Sequence, residues 1–167
     1  DGAVSLQPGR LRIVRDGASV SLSGTSGVVL GGQVADVFLL AADDGGERAF
    51  VVVARDRIGV TDLPSYDVVR RNAEITADGL ALSDDDVLTV DPGRVLDIAA
   101  TFFAAEAAGL ADWATTTAAD YARVRRQFGR VIGQFQGVKH TVARMLCHTE
   151  QARVTTWDAT RALGEDI

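Results

Sequence analysis

The twenty residues from Tyr121 to His140 constrain the fold most, because they join two long helical patterns through a short apolar turn. Arg125 and Arg126 are expected in the last turn of the first helix, where cations interact favourably with the negative end of the helix dipole. Gly129 and Gly133 interrupt the pattern. Between them Arg130, Val131 and Ile132 form a link of the length found where two helices fold back as antiparallel neighbours.

The helices on either side are long. Asp91-Pro92 reads as a start, with a carboxylate able to cap free amides and proline at the first helical position. From there the pattern runs to about Arg126, roughly 35 residues or about 50 Å. Its alanine-rich section, Ala104 to Gly109, permits close helix approach. The second helix is expected from Phe135 to near Gly164, with Val138, Val142, Met145, Leu146, Ala152 and Trp157 on roughly one face. Such a pair cannot cover its own apolar surface, so further helices are expected from the same or another chain.

Ahead of Asp91 the pattern is that of strands. Leu11 to Arg15 and Ser19 to Ser23 alternate around the turn signal Asp16-Gly17, and Val37 to Ala41 and Ala49 to Val53 flank Asp43-Asp44-Gly45-Gly46. Shorter strands are expected around Gly59-Val60-Thr61, Tyr66 to Arg71 and Glu74 to Leu82. Ser83 to Asp86 reads as a cap or solvated linker. The expected class is α+β: an antiparallel β domain over residues 1–89, then over residues 90–167 a long antiparallel helix pair belonging to a four-helix bundle.

At 167 residues, 47% apolar and a net charge of −6, the chain can bury a core and does not have the composition of a disordered one. The acidic balance argues against nucleic-acid backbone binding. Lone Cys147 leaves no internal disulfide and suits a reducing cytosol, and no apolar run is long enough for a membrane span. The expected location is the cytoplasm. His140 and His148 are eight positions apart on one helix, too far for an i, i+4 metal pair, and no metal site is expected.

Tyr121, Arg125, Phe128-Gly129, Ile132-Gly133, Phe135-Gln136, His140, Ala143 and Met145 together resemble a pattern in the carboxy-terminal domain of the acyl-CoA dehydrogenase flavoproteins. That resemblance implies an amino-terminal helical domain, a middle β domain, a carboxy-terminal four-helix domain and assembly into tetramers. Here the middle domain and the first two carboxy-terminal helices have counterparts, and Val20 to Thr25, Val28 to Gly32 and Ala35-Asp36 look like the middle domain's first hairpin. The implied activity is α,β-dehydrogenation of an acyl-CoA thioester with FAD and an electron-transfer flavoprotein-type acceptor.

In the family the residues matching Arg125, Gln127, Phe128 and Gln136 reach across a subunit interface to FAD held mainly by the neighbour. A guanidinium suits the pyrophosphate, an aromatic ring packs on a ring system, and an amide both donates and accepts. Without the motif, Arg125 would read as a solvated helix-end cation and Phe128 as a plug at the turn.

The departures fall elsewhere. Where family members carry an aromatic and a threonine against the flavin, this chain has Val28-Val29-Leu30. Where they often carry Asp-x-x-Arg, with the arginine helping to hold CoA, it has Asp97-Ile98-Ala99-Ala100. Some members place the catalytic glutamate at the Ala99 position and others in the last part of the domain, so no catalytic residue is assigned. Glu106 lies about two turns from Ala99 and reads as a carboxylate on the polar side of the helix. Three readings follow: a partner subunit that lends FAD-facing residues to another acyl-CoA dehydrogenase subunit and is inactive alone; a truncated piece of an ordinary homotetrameric enzyme; and a non-catalytic interaction module on the same fold.

Overall fold

The computed structural model describes residues 1–165, so Asp166 and Ile167 of the expected helical domain lie outside the described residues. The chain divides into two compact units, Asp1–Pro92 and Gly93–Ile167.

The first unit is a seven-stranded sheet: β1 (Gly2–Ser5), β2 (Arg12–Asp16), β3 (Ser19–Val29), β4 (Val37–Asp44), β5 (Glu47–Ala54), β6 (Gly59–Asp62) and β7 (Ala73–Leu82). Both expected hairpins form. Asp16 faces Ser19 across one turn and Asp44 faces Glu47 across the other, so each loop has two residues.

The sheet is mixed, which corrects the expectation of a purely antiparallel one. β1 lies parallel to β4, and β2 meets β4 in parallel at Arg12 and Asp43. The chain leaves β1, builds the β2–β3 hairpin and returns as β4, which pairs with β5 along its whole length and takes β1 and then β2 along its other edge; such an excursion is the crossover that a parallel pair requires. Arg15 clips the arrangement with a two-pronged bond to Asp44, at 3.1 and 2.6 Å.

β3 is one continuous strand on β7, with register shifts at Leu22/Gly24 and Thr25/Val28, and not the expected hairpin of its own. Tyr66 to Arg71 is a loop, not a strand. Asp67 Oδ1 accepts from the amides of Val69 and Arg70, and Ser65 Oγ accepts from the amide of Asp67, so local side chains take the bonds a ladder would need. The core is formed by alternate residues such as Leu11, Leu22, Phe38, Leu40, Val53 and Ile75, all essentially inaccessible to solvent.

The acidic run at the end of the unit makes one tight clamp. Asp84–Asp86 is a 3-10 turn, and Asp86 accepts from Arg57 at 2.8 and 3.2 Å and from the Ser83 amide and hydroxyl at 2.8 and 3.0 Å. The guanidinium and then the Ser83 amide hold the Asp86 carboxyl at about 2, well below its ordinary value. Because the folded value is depressed, its contribution is fully present above the unfolded value near pH 4 and is lost as pH falls from about 4 through about 2. With screening at this partly exposed site, Asp86→Asn is expected to cost about 1–2 kcal/mol at neutral pH. The check is a urea titration at several pH values: the difference from wild type should shrink between about pH 4 and pH 2. A difference independent of pH would refute this.

The second unit is a helical hairpin of α1 (Pro92–Val124) and α2 (Gln136–Glu165). Ala108, Thr115 and Ala122 are the buried residues of α1 and recur every seven positions, the spacing of a helix-pairing seam. Small side chains there let α2 approach. The Thr115 and Thr149 hydroxyls meet at 3.0 Å in this seam, Arg153 pairs with Asp112 at 3.2 Å, and the Arg94 guanidinium bonds the Leu163 carbonyl. The order of these pairs is antiparallel, as expected. Large apolar residues remain exposed, among them Phe102, Trp113 and Trp157 at 73%, 65% and 70%. A four-helix arrangement would bury residues of this kind. No described helix is long and apolar enough to cross a membrane.

Candidate functional site

The segment between the helices carries the candidate site. α1 stops at Val124, so Arg125 and Arg126 lie beyond the last helical turn in which they were expected, although the Arg125 amide still bonds the Tyr121 carbonyl at 2.9 Å. The chain then forms a miniature hairpin, β8 (Arg126–Gln127) and β9 (Arg130–Val131), followed by a 3-10 turn over Ile132–Gln134. The link is thus more ordered than the compact apolar turn inferred from sequence. It folds back tightly: the Ile132 amide bonds the Arg125 carbonyl at 2.8 Å, and a Cβ on Gly133 would stand 2.8 Å from the Ala122 carbonyl oxygen. Gly133 is therefore a close-approach residue.

The two-residue loop of this hairpin is Phe128-Gly129, and both residues have positive φ, 50° and 77°. Positive φ at both central residues is the pattern of the type I′ turn, which matches strand twist but normally takes asparagine, aspartate or glycine first. Phenylalanine there costs about 1–2 kcal/mol of backbone strain. The ring is nevertheless 90% exposed. A strained residue whose side chain gains little burial marks a candidate contact point.

All four residues singled out by the motif, Arg125, Gln127, Phe128 and Gln136, are brought to this one end of the helical unit, and all four are exposed. Their neighbourhood is cationic. Between Asp120 and Glu150 there is no carboxylate, whereas Arg123, Arg125, Arg126, Arg130, Lys139 and Arg144 fall there, in a chain whose net charge is −6. Several of these cations are engaged: Arg123 with Asp120 at 2.7 Å, Arg126 with the Gly129 carbonyl at 3.4 Å, and Arg130 over the Phe135 ring at 4.2 Å from its centroid. The Arg125 guanidinium has no partner among the described residues. An exposed, unpaired guanidinium beside two amides and an aromatic ring can pair with a phosphate or pyrophosphate and pack on a planar heterocycle.

Sequence reasoning missed the roles of Arg130 and Phe135. Phe135 sets its ring at 87° to that of Phe128, centroids 6.1 Å apart, with Arg130 against it.

The positions read as departures are also placed. Val28 and Leu30 are exposed at 60% and 41% on either side of Val29, which is fully buried and ends β3; Val28 lies on the outward face of the strand and Leu30 in the turn that follows it. Ala99, Ala100 and Glu106 lie on α1. Cys147 is exposed in this chain, and no group of metal-holding residues occurs among the described residues.

The family model for the acyl-CoA dehydrogenase carboxy-terminal domain matches residues 93–166. The acyl-CoA dehydrogenase FadE34 of Mycobacterium tuberculosis is 42% identical over 165 residues, which are 99% of this chain and 21% of that protein. Among solved structures, the Tcur3481-Tcur3483 steroid ACAD variant superposes with a TM-score of 0.86 at 27% identity, covering 98% of this chain and 47% of that one. Glutaryl-CoA dehydrogenase from Mycobacterium smegmatis gives 0.82 at 25% identity, covering 99% and 48%. The chain therefore spans between about a fifth and a half of the length of these proteins.

Proposed function

Because the chain belongs to the acyl-CoA dehydrogenase family, we propose that it forms part of an FAD-dependent enzyme performing α,β-dehydrogenation of an acyl-CoA thioester, and that its helical hairpin completes a flavin site on a neighbouring subunit. The observation that carries this is the exposed Phe128 ring held at a φ of 50°, three positions from Arg125, which has no partner among the described residues. The residues fit the cofactor. Arg125 would pair with the pyrophosphate, Phe128 would pack on a ring system, and Gln127 and Gln136 would supply donors and acceptors. When bound, the flavin supplies the two-electron acceptor of the dehydrogenation.

The finer proposal is that the neighbour is a different acyl-CoA dehydrogenase subunit. Residues that act across the interface in the family are present, whereas Val28, Leu30, Ala99 and Ala100 stand where the family carries its own flavin contacts, catalytic glutamate and CoA-binding arginine. The two-part name of the Tcur3481-Tcur3483 protein fits a pairing of unlike chains. A cytoplasmic location and an electron-transfer flavoprotein-type acceptor go with this reading. The second reading, a piece of a homotetrameric enzyme, is favoured by one observation: the chain spans only 21–48% of the proteins described above.

The isolated chain is expected to turn over no acyl-CoA, since loss of one acid–base group alone costs about 10²–10⁴ in rate. Co-expressed with a candidate partner subunit, it should purify in a complex holding fewer FAD molecules than chains, counted by flavin absorbance against protein mass. One FAD per chain in a homo-oligomer would replace the first reading with the second. Turnover by the chain alone would overturn the absence of a base.

A further inference from the structure

Phe128 is the one non-glycine residue with positive φ among those described, so something must hold its loop against the preference of an L side chain. Backbone bonding accounts for only part of this. The β8–β9 pairing is two residues long on each side, and Arg126 reaches the Gly129 carbonyl at the long distance of 3.4 Å. The remaining contacts form a stack. Phe128 is edge-on to Phe135 at 6.1 Å and 87°, and the Arg130 guanidinium lies 4.2 Å from the centre of the Phe135 ring. A guanidinium on an aromatic face is attractive, and so is a T-shaped ring pair. Phe135 itself is only half-buried and follows the 3-10 turn, whose Ile132 carbonyl accepts its amide at 3.0 Å. It thus provides a fixed surface to which the loop is attached from two sides.

We infer that Arg130 and Phe135 are positioning residues for the flavin-facing loop: Arg130 grips Phe135, Phe135 sets the Phe128 ring, and neither needs to touch the cofactor. This rests on the proposed flavin role of the loop. The stack also fixes which cation serves which purpose. Arg130 spends its charge on an aromatic face and Arg126 reaches the Gly129 carbonyl, so that of the arginines in the segment joining the helices Arg125 is the one with no partner among the described residues.

The test uses the full-length protein in its flavin-containing oligomer, stripped of flavin and titrated with FAD. Arg130→Met keeps the length of the side chain and removes its charge; it should weaken FAD binding about three- to tenfold, and Arg130→Lys should recover most of the loss, because an ammonium also sits on an aromatic face. In a Phe128→Gly background, where the loop is unstrained and has no ring to place, Arg130→Met should have no further effect. Additive losses would mean that Arg130 contacts the cofactor directly, and a failure of lysine to restore binding would remove the cation–ring contact; either overturns the inference. Arg125→Ala serves as the separate control. If it leaves FAD affinity unchanged, the flavin reading of the loop has failed; if it weakens binding while Arg130→Met does not, only the positioning role has failed.

Discussion

Gly24→Ala is expected to destabilise the β unit by about 2–5 kcal/mol, a large fraction of the stability of an ordinary domain. Two penalties coincide. Gly24 sits at the first register shift of β3 with a φ of 113°, a conformation that L residues rarely adopt. A Cβ there would also lie 2.0 Å from the Arg10 carbonyl oxygen and 2.8 Å from its carbon. Those are backbone atoms with little freedom, because the Arg10 amide bonds the Thr25 carbonyl at 2.7 Å and the adjoining Leu11 is fully buried. Strain of about 1–2 kcal/mol and overpacking of about 1–3 kcal/mol then add. Gly17→Ala isolates the first penalty: its φ is 57° and no atom lies within 4 Å of the added Cβ, so it should cost only about 1–2 kcal/mol. Urea midpoints of the two variants decide the matter. Equal losses would mean that the Arg10 clash relaxes at no cost.

The elements that depend on local patterns were legible in the sequence. The Asp16-Gly17 and Asp43 to Gly46 turns gave their hairpins, and Asp91-Pro92 gave the start of α1, which begins at Pro92. Non-local pairing was not legible. Nothing in Ala3 or Val4 says that β1 will lie beside Phe38 and Leu39, some 35 positions later, because the same alternation suits a parallel or an antiparallel neighbour. Tyr66 to Arg71 misled because its valines and tyrosine suit a strand, while Asp67 and Ser65 satisfy the backbone locally.

The candidate site divides along the same line. Arg125, Gln127, Phe128 and Gln136 could be named from their spacing, since a resemblance carries residue types at offsets. The strained loop could not, because a positive φ on a phenylalanine opposes its own propensity and is imposed by the surrounding hairpin. The Arg130–Phe135 contact is invisible for a related reason: residues five apart face each other here only because a 3-10 turn, and not a helix, lies between them.

Arg125→Ala is expected to weaken flavin retention in the oligomer about ten- to a hundredfold while leaving folding stability unchanged within about 0.5 kcal/mol. The two halves of that expectation have one cause. The Arg125 side chain is exposed and has no partner among the described residues, so removing it deprives no protein group of a bond. Its whole effect should therefore appear in binding, where a charge-assisted hydrogen bond to a phosphate is worth about 1.5–3 kcal/mol. Arg123 gives the contrast: two positions earlier, it is also exposed but already paired with Asp120 at 2.7 Å. Arg123→Ala removes the same charge from the same end of the helix and should change FAD affinity by no more than about twofold, as for a screened surface charge. The measurement is an FAD titration of the flavin-stripped oligomer for wild type and both variants, with thermal denaturation of each. Equal weakening by the two substitutions would reduce the site to a general field of positive charge. Full flavin occupancy in Arg125→Ala would remove this arginine from the cofactor altogether.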